Sequence, residues 1–171
     1  MNIVLIGYRG TGKSAVSRVL AKRLQRELVS TDTEVVKRAG VPIPKIVEQQ
    51  GWEGFRDLES AVCRDLGGRD HLIIDTGGGA ILRPQNVEVL KKNGRFWWLT
   101  AGVDTIVRRI GHDTQRPSLT GTRSFLDEVG EVLAERVPKY QAAADWTIAT
   151  EGLTVQEVAE RILREVSSLS G

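Results

Sequence analysis

Eight consecutive residues, Gly7-Tyr8-Arg9-Gly10-Thr11-Gly12-Lys13-Ser14, constrain this chain more than any other stretch, because they satisfy G-x-x-x-x-G-K-[ST] in full. A loop that wraps a phosphate needs glycines where the backbone turns its N–H groups inward. It also needs a lysine to reach the β- and γ-phosphates and a hydroxyl to ligate Mg²⁺. With glycine near 7% of average usage, such a match arises by accident in only about one in a hundred chains of this length. The flanks strengthen it. Asn2 to Ile6 is a short apolar run of the kind that forms a buried parallel strand, and Val16, Val19, Leu20 and Leu24 follow at helical spacing. A strand, the loop and a helix are therefore expected in that order, with the peptide N–H groups of Gly10, Thr11, Gly12, Lys13, Ser14 and Ala15 available to phosphate oxygens at the helix N-terminus.

The rest of the chain carries that unit into a three-layer α/β fold. Apolar runs at Leu28–Ser30, Leu72–Asp75, Phe96–Thr100 and Trp146–Thr150 alternate with amphipathic segments, which predicts a five-stranded parallel sheet. Thr154-Val155-Gln156-Glu157 reads as a capping box opening the last helix, with Val158, Ile162, Leu163 and Val166 on one face. No repeat, low-complexity tract or linker divides the 171 residues, so one domain over 1–171 is expected. Two segments exceed simple alternation. Residues 33–67 read as several short helices broken at Val41-Pro42-Ile43-Pro44, an insert expected to carry substrate groups. Residues 111–124 are polar and contain Gly111, Pro117 and Gly121, which favours a lid that excludes water over an idle loop.

Composition excludes several classes. A net charge of +2 gives no electrostatic footprint for nucleic acid or a membrane surface, and no apolar run approaches the length of a membrane span. The chain enters its first strand without a signal peptide, and one cysteine, Cys63, cannot form an internal disulfide. A cytoplasmic protein is expected, with Cys63 packed in a helix rather than catalytic. His71 and His112 are isolated, so zinc is not expected. Trp52, Trp97, Trp98 and Trp146 read as core and crevice wall, Trp52 being placed to line a substrate pocket.

Phosphoryl transfer requires positive charge around the moving group, a metal, and a group that holds the acceptor hydroxyl. Lys13 and Ser14 answer the first two. Asp32 follows the second strand and either orients an attacking hydroxyl or caps the next helix; spacing leaves these even. Arg56 and Arg136, taken alone, read as solvated helix arginines. Gly77-Gly78-Gly79 predicts a backbone that lets a ligand approach closely or turns with positive φ, the alternative being a flexible turn. Arg116, in the expected lid, is positioned to neutralise charge on the γ-phosphate.

Taken in order, these segments resemble the shikimate kinase family from Ile3 to about Ile148. The resemblance rests on the phosphate loop, Thr31-Asp32-Thr33-Glu34, Gly54-Phe55-Arg56-Asp57-Leu58-Glu59, Thr76-Gly77-Gly78-Gly79, Arg116-Pro117-Ser118-Leu119 and Glu135-Arg136-Val137-Pro138-Lys139-Tyr140. It implies a nucleoside-monophosphate-kinase-like core and transfer of the ATP γ-phosphate to the 3-hydroxyl of shikimate, with Mg²⁺ as cofactor. ATP and shikimate are the partners it implies, and the chain is expected to be a monomer. By this resemblance Asp32 binds the shikimate hydroxyls, Arg56 and Arg136 hold its carboxylate, and Gly77, Gly78 and Gly79 line the ring. Arg116 contacts the ATP phosphates and Arg109 lies near the adenine. Other readings are a gluconate-kinase-type enzyme and a catalytically silent kinase-like binding protein.

One position departs from the pattern: the family usually has Asp-x-Asp after strand two, and here Ser30 replaces the first aspartate, a group associated with the Mg²⁺ hydration shell. Ile73-Ile74-Asp75 has the form of a Walker B segment, an apolar strand then Asp, where the family usually has a small neutral residue. With strand three beside strand one, Asp75 is expected next to Ser14, able to hold Mg²⁺ through its waters. The alternative is that Asp75 caps the glycine turn.

Overall fold

The computed structural model describes residues 1–111 and 125–171, without the side chains of residues 125 and 126. Among these residues one parallel sheet runs in the order β2-β3-β1-β4-β5, formed by β1 (Asn2–Ile6), β2 (Glu27–Ser30), β3 (Leu72–Asp75), β4 (Gly94–Thr100) and β5 (Trp146–Ala149). Each strand of a buried parallel sheet must be apolar on both faces, and alternation along the chain divides these residues between two cores. Val4, Ile6, Leu72, Ile74, Phe96 and Trp98 face one layer, and Ile3, Leu5, Ile73, Trp97 and Leu99 the other. Helices α2 (Thr31–Ala39), α3 (Ile43–Gly67), α4 (Pro84–Lys91) and α6 (Phe125–Ala143) cover the first face, while α1 (Lys13–Leu24) and α7 (Val155–Leu169) cover the second. Helix α5 (Val103–Ile110) packs with α6 and Tyr8 in a smaller cluster of Ile106, Ile110, Val129 and Val132.

The tryptophans serve the packing as expected. Trp97 is fully buried and stacks on Trp146 with ring centroids 4.7 Å apart, and Trp98 stacks on Tyr140 at 5.6 Å. Cys63 is buried in the first core, where burial and the nearby Glu59 charge push its thiol up to about 12. The capping box at α7 is complete: Glu157 N–H donates to Thr154 Oγ1 at 3.1 Å, and Thr154 N–H donates to Glu157 Oε2 at 2.6 Å. Among the described residues no helix is long and apolar enough to cross a membrane.

The insert takes its expected form of short helices broken near Pro42, with α2 beginning at Thr31 directly off β2 and α3 made of two helices joined across a kink at Gly51, whose φ of 71° and ψ of 178° leave the helical region. The break re-aims the chain so that Phe55, Arg56, Glu59, Val62, Cys63 and Leu66 lie on the buried side of its second half. The N-cap of α2 is Ser30, whose hydroxyl accepts from Thr33 N–H at 3.3 Å. Asp32 is thus not a cap but sits in the first helical turn, and Ser30 answers an N–H that would otherwise lack a partner at the helix end.

Candidate active site

The chemistry-bearing residues gather at the C-terminal ends of β1, β2 and β3, where the strand order reverses and parallel α/β sheets bind ligands. β1 ends in the phosphate loop. Gly7 carries a φ of 144°, and a Cβ there would come within 2.5 Å of the Leu99 carbonyl oxygen, so only glycine fits. α1 starts at Lys13, directing the N–H groups of its first turn into the loop. Lys13 Nζ donates to the carbonyls of Gly7 at 2.8 Å and Tyr8 at 3.0 Å, which holds the ammonium along the loop.

A crevice of about 360 Å³ runs from this loop past Ser14, Ser30, Asp32 and Asp75 to Gly78. Ser30 and Asp75 are direct register partners on adjacent strands, as are Leu5 and Asp75. Asp75 therefore emerges between β1 and β2, and Ser14 Oγ donates to its Oδ2 at 2.6 Å. The turn-cap alternative for Asp75 has no support among the described residues. The Gly77 N–H donates instead to Thr31 Oγ1 at 2.8 Å, and the Thr76 N–H to the Leu5 carbonyl at 3.3 Å. On the other side of the loop a second hollow of about 340 Å³ is walled by Val16, Leu153 and Val158, with Arg109 at its edge. Arg109 Nη1 donates to the Gly10 carbonyl at 3.1 Å and to Thr150 Oγ1 at 3.3 Å.

The three glycines after β3 have a joint purpose. None of them has positive φ, so the turn conformation does not demand glycine and that part of the expectation is corrected. The missing side chains make room instead. A Cβ on Gly77 would lie 2.6 Å from Asp32 Oδ1 and 3.0 Å from Glu59 Oε2, one on Gly79 would overlap the Arg56 guanidinium, and one on Gly78 would lie 3.4 Å from Arg136 Nη1. One short turn thus collects Asp32, Arg56, Glu59 and Arg136 from three helices.

Both arginines are 7% exposed, so the surface reading of each fails. Arg56 Nη1 donates to Glu59 Oε1 at 2.8 Å, and its guanidinium lies 5.1 Å from the Phe55 ring centroid and 5.5 Å from that of Trp52. Arg136 lies over the Tyr8 ring and hydrogen-bonds the Tyr140 hydroxyl, which in turn donates to the Gly78 carbonyl. Burial pushes the Tyr140 hydroxyl up to about 12, so it stays protonated and able to donate.

Glu59 is the site residue that sequence reasoning passed over. It is fully buried, burial raises its pKa against the opposing pull of Arg56, and its Oε2 has no hydrogen-bond partner among the described residues. The signal was its i,i+3 spacing from Arg56 within one helix. Arg116 and residues 112–124 of the expected lid lie outside the described residues. No cluster of three or more His, Cys, Asp or Glu side chains that could cage a metal occurs among the described residues.

Comparison with known proteins converges on one family. A family model described as shikimate kinase matches residues 9–167. The shikimate kinase of Syntrophus aciditrophicus (strain SB) is 42% identical, covering 98% of this chain and 91% of that protein. That of Thermodesulfovibrio yellowstonii is 39% identical over 99% and 96%. Among solved structures, shikimate kinase from Acinetobacter baumannii in complex with shikimate superposes with a TM-score of 0.92 at 36% identity, covering 98% of this chain and 93% of that one. A gluconokinase from Sinorhizobium meliloti reaches a TM-score of 0.63 at 16% identity, covering 98% and 92%, which is likeness of fold alone. With the phosphate loop, the glycine turn and the buried arginines in place, the chain belongs to the shikimate kinase family.

Proposed function

We propose how this chain divides the work of its family's reaction, transfer of the γ-phosphate of ATP to the 3-hydroxyl of shikimate to give shikimate 3-phosphate and ADP. The observation that carries the reading is the glycine turn, which gathers a carboxylate and two buried guanidinium groups next to a phosphate loop. Arg56 and Arg136 hold the carboxylate of the small anionic substrate through charge-assisted hydrogen bonds, and Gly77, Gly78 and Gly79 leave room for its ring. Asp32 accepts the hydrogen bond of the attacking hydroxyl, which fixes a lone pair on the γ-phosphorus. As the new P–O bond forms and the bond to the β-phosphate oxygen breaks, Asp32 takes the hydroxyl proton. Lys13 and the N–H groups from Gly10 to Ala15 hold the charge that shifts toward ADP. The hollow beside Arg109 takes the adenine.

A divalent cation completes the nucleotide side. Ser14 and Asp75 form an all-oxygen donor set at hydrogen-bond distance, which suits Mg²⁺; that ion usually takes one or two carboxylates together with substrate phosphates rather than a protein cage. When bound, Mg²⁺ neutralises phosphate charge. Asp75 then supplies the carboxylate that Ser30 does not. The chain acts as a monomeric single domain in the cytoplasm, a location in keeping with the buried thiol of Cys63.

The test is an ADP-release assay over a panel of hydroxy acids, with the product identified by mass. ATP and shikimate are expected to give stoichiometric ADP and shikimate 3-phosphate, with gluconate inert. Turnover of gluconate, or ADP formed without phosphorylated shikimate, would contradict the reading.

A further inference from the structure

Tyr8 is the residue of the phosphate loop that phosphate binding does not explain. It is 1% exposed, and its hydroxyl is buried with no hydrogen-bond partner among the described residues. Burying a phenol without a partner is unfavourable, so the position exploits the ring. Tyr8 belongs to a buried apolar cluster with Ile106 and Ile110 of α5 and Val129 and Val132 of α6. The Arg136 guanidinium lies 5.7 Å from the ring centroid. Arg136 is withdrawn from water, and attraction of a cation to a ring is strongest where both are desolvated. Tyr140, one turn further along α6, engages the same guanidinium. The backbone of Tyr8 meanwhile accepts from Lys13 Nζ at 3.0 Å and from Thr11 Oγ1 at 2.8 Å. One residue therefore touches the phosphate lysine through its carbonyl and the clamp arginine through its ring.

We propose that Tyr8 is a positioning residue of the substrate site: its ring, mounted on the phosphate loop, seats the Arg136 guanidinium for the substrate carboxylate. The inference rests on the assignment of Arg136 to that carboxylate. It makes the electron-rich face of the ring the active property, whereas a core filler would contribute volume alone.

Fluorination separates the two. Pentafluorophenylalanine at position 8 keeps the volume and reverses the charge distribution of the ring face, and Tyr8→Phe removes only the hydroxyl. Shikimate affinity would be measured by titration calorimetry, with steady-state KM for shikimate and ATP, for both variants, for Arg136→Met and for the fluorinated protein carrying Arg136→Met. Tyr8→Phe is expected within twofold of the parent. The fluorinated protein is expected to bind shikimate about fivefold or more weakly, with KM for ATP within twofold, and to lose nothing further in the Arg136→Met background. Shikimate affinity within twofold of the parent, or an equal loss in both backgrounds, would overturn the proposal. Melting curves identify any loss of fold, in which case mono- and difluorinated phenylalanines supply a graded series; affinity that does not follow the grading is again a refutation. Parent-like affinity in Arg136→Met would break the clamp assignment and this inference with it. A weakened Arg136→Met beside an unaffected fluorinated protein breaks the inference alone.

Discussion

The phosphate loop and the substrate clamp meet at Gly78, where a Cβ would lie 3.4 Å from both the Arg9 amide nitrogen and Arg136 Nη1. They reach that meeting point by different routes. The loop is eight consecutive residues, proposed to hold phosphate through main-chain N–H groups and one lysine, and its shape follows from local glycine conformations between β1 and α1. The clamp takes Asp32 from α2, Arg56 and Glu59 from α3 and Arg136 from α6, with Asp32 and Glu59 packed against Gly77, Arg136 against Gly78 and Arg56 against Gly79. A local motif tolerates change elsewhere in the chain. An assembled one depends on every element that delivers a side chain, and its buried charges must be paired as well as aimed.

The contrast can be broken first at the loop. Lys13→Met removes the main positive charge from the transferring phosphates and is expected to lower kcat by about 10²–10³-fold, with KM for shikimate little changed. A shikimate KM that rises as steeply as kcat falls would mean the two halves are not separable. A smaller effect belongs to Asp75. Asp75→Ala is expected to lower kcat by about 10–100-fold, to raise the Mg²⁺ concentration required and to weaken the Mg²⁺-dependent part of ADP binding, leaving shikimate affinity intact. Ser30→Asp in that background is expected to recover part of each. Unchanged Mg²⁺ dependence with a lowered melting temperature would return Asp75 to a structural role.

Glu59 sharpens the clamp side. Burial raises its pKa, so on acidification it takes up a proton above the usual carboxylate range, and Arg56 then loses its ionised partner. The KM for shikimate is expected to rise as pH falls through that region, and Glu59→Gln to raise KM severalfold at neutral pH while flattening the dependence. A Glu59→Gln profile that parallels the parent would show that another group titrates. The smallest effect is expected at Cys63: with its thiol pushed up to about 12 in the core, it should resist thiol reagents until the protein unfolds. Rapid labelling of the native protein would mean that the α3 core opens readily.

The same contrast explains what the sequence could convey. The loop and all five strands were legible because each is a local pattern, and the strand ends fell within about two residues of those observed. The placement of Asp75 was legible too, since an apolar strand ending in Asp beside a phosphate loop fixes its neighbour. Arg56 and Arg136 were not legible from composition or spacing. Their burial depends on residues distant in the chain, Gly79 for Arg56 and Gly78 and Tyr8 for Arg136, and only the family resemblance singled them out. Glu59, the Tyr8–Arg136 contact and the capping of α2 by Ser30 arise from tertiary convergence or from a helix beginning two residues early. The triple glycine signalled close approach, but not that the approaching groups belong to the protein itself.

On the proposed reading, Arg56 and Arg136 recognise a carboxylate in a half-site distinct from the phosphate loop. Comparing kcat/KM for shikimate and its methyl ester in the parent, Arg56→Ala and Arg136→Ala tests it most directly. The parent should prefer the free acid, each variant should lose about 2–4 kcal/mol of transition-state binding on the acid, and the preference for acid over ester should collapse while KM for ATP holds. Values of kcat/KM for shikimate within threefold of the parent in both variants, or an acid-to-ester ratio that survives them, would contradict the account.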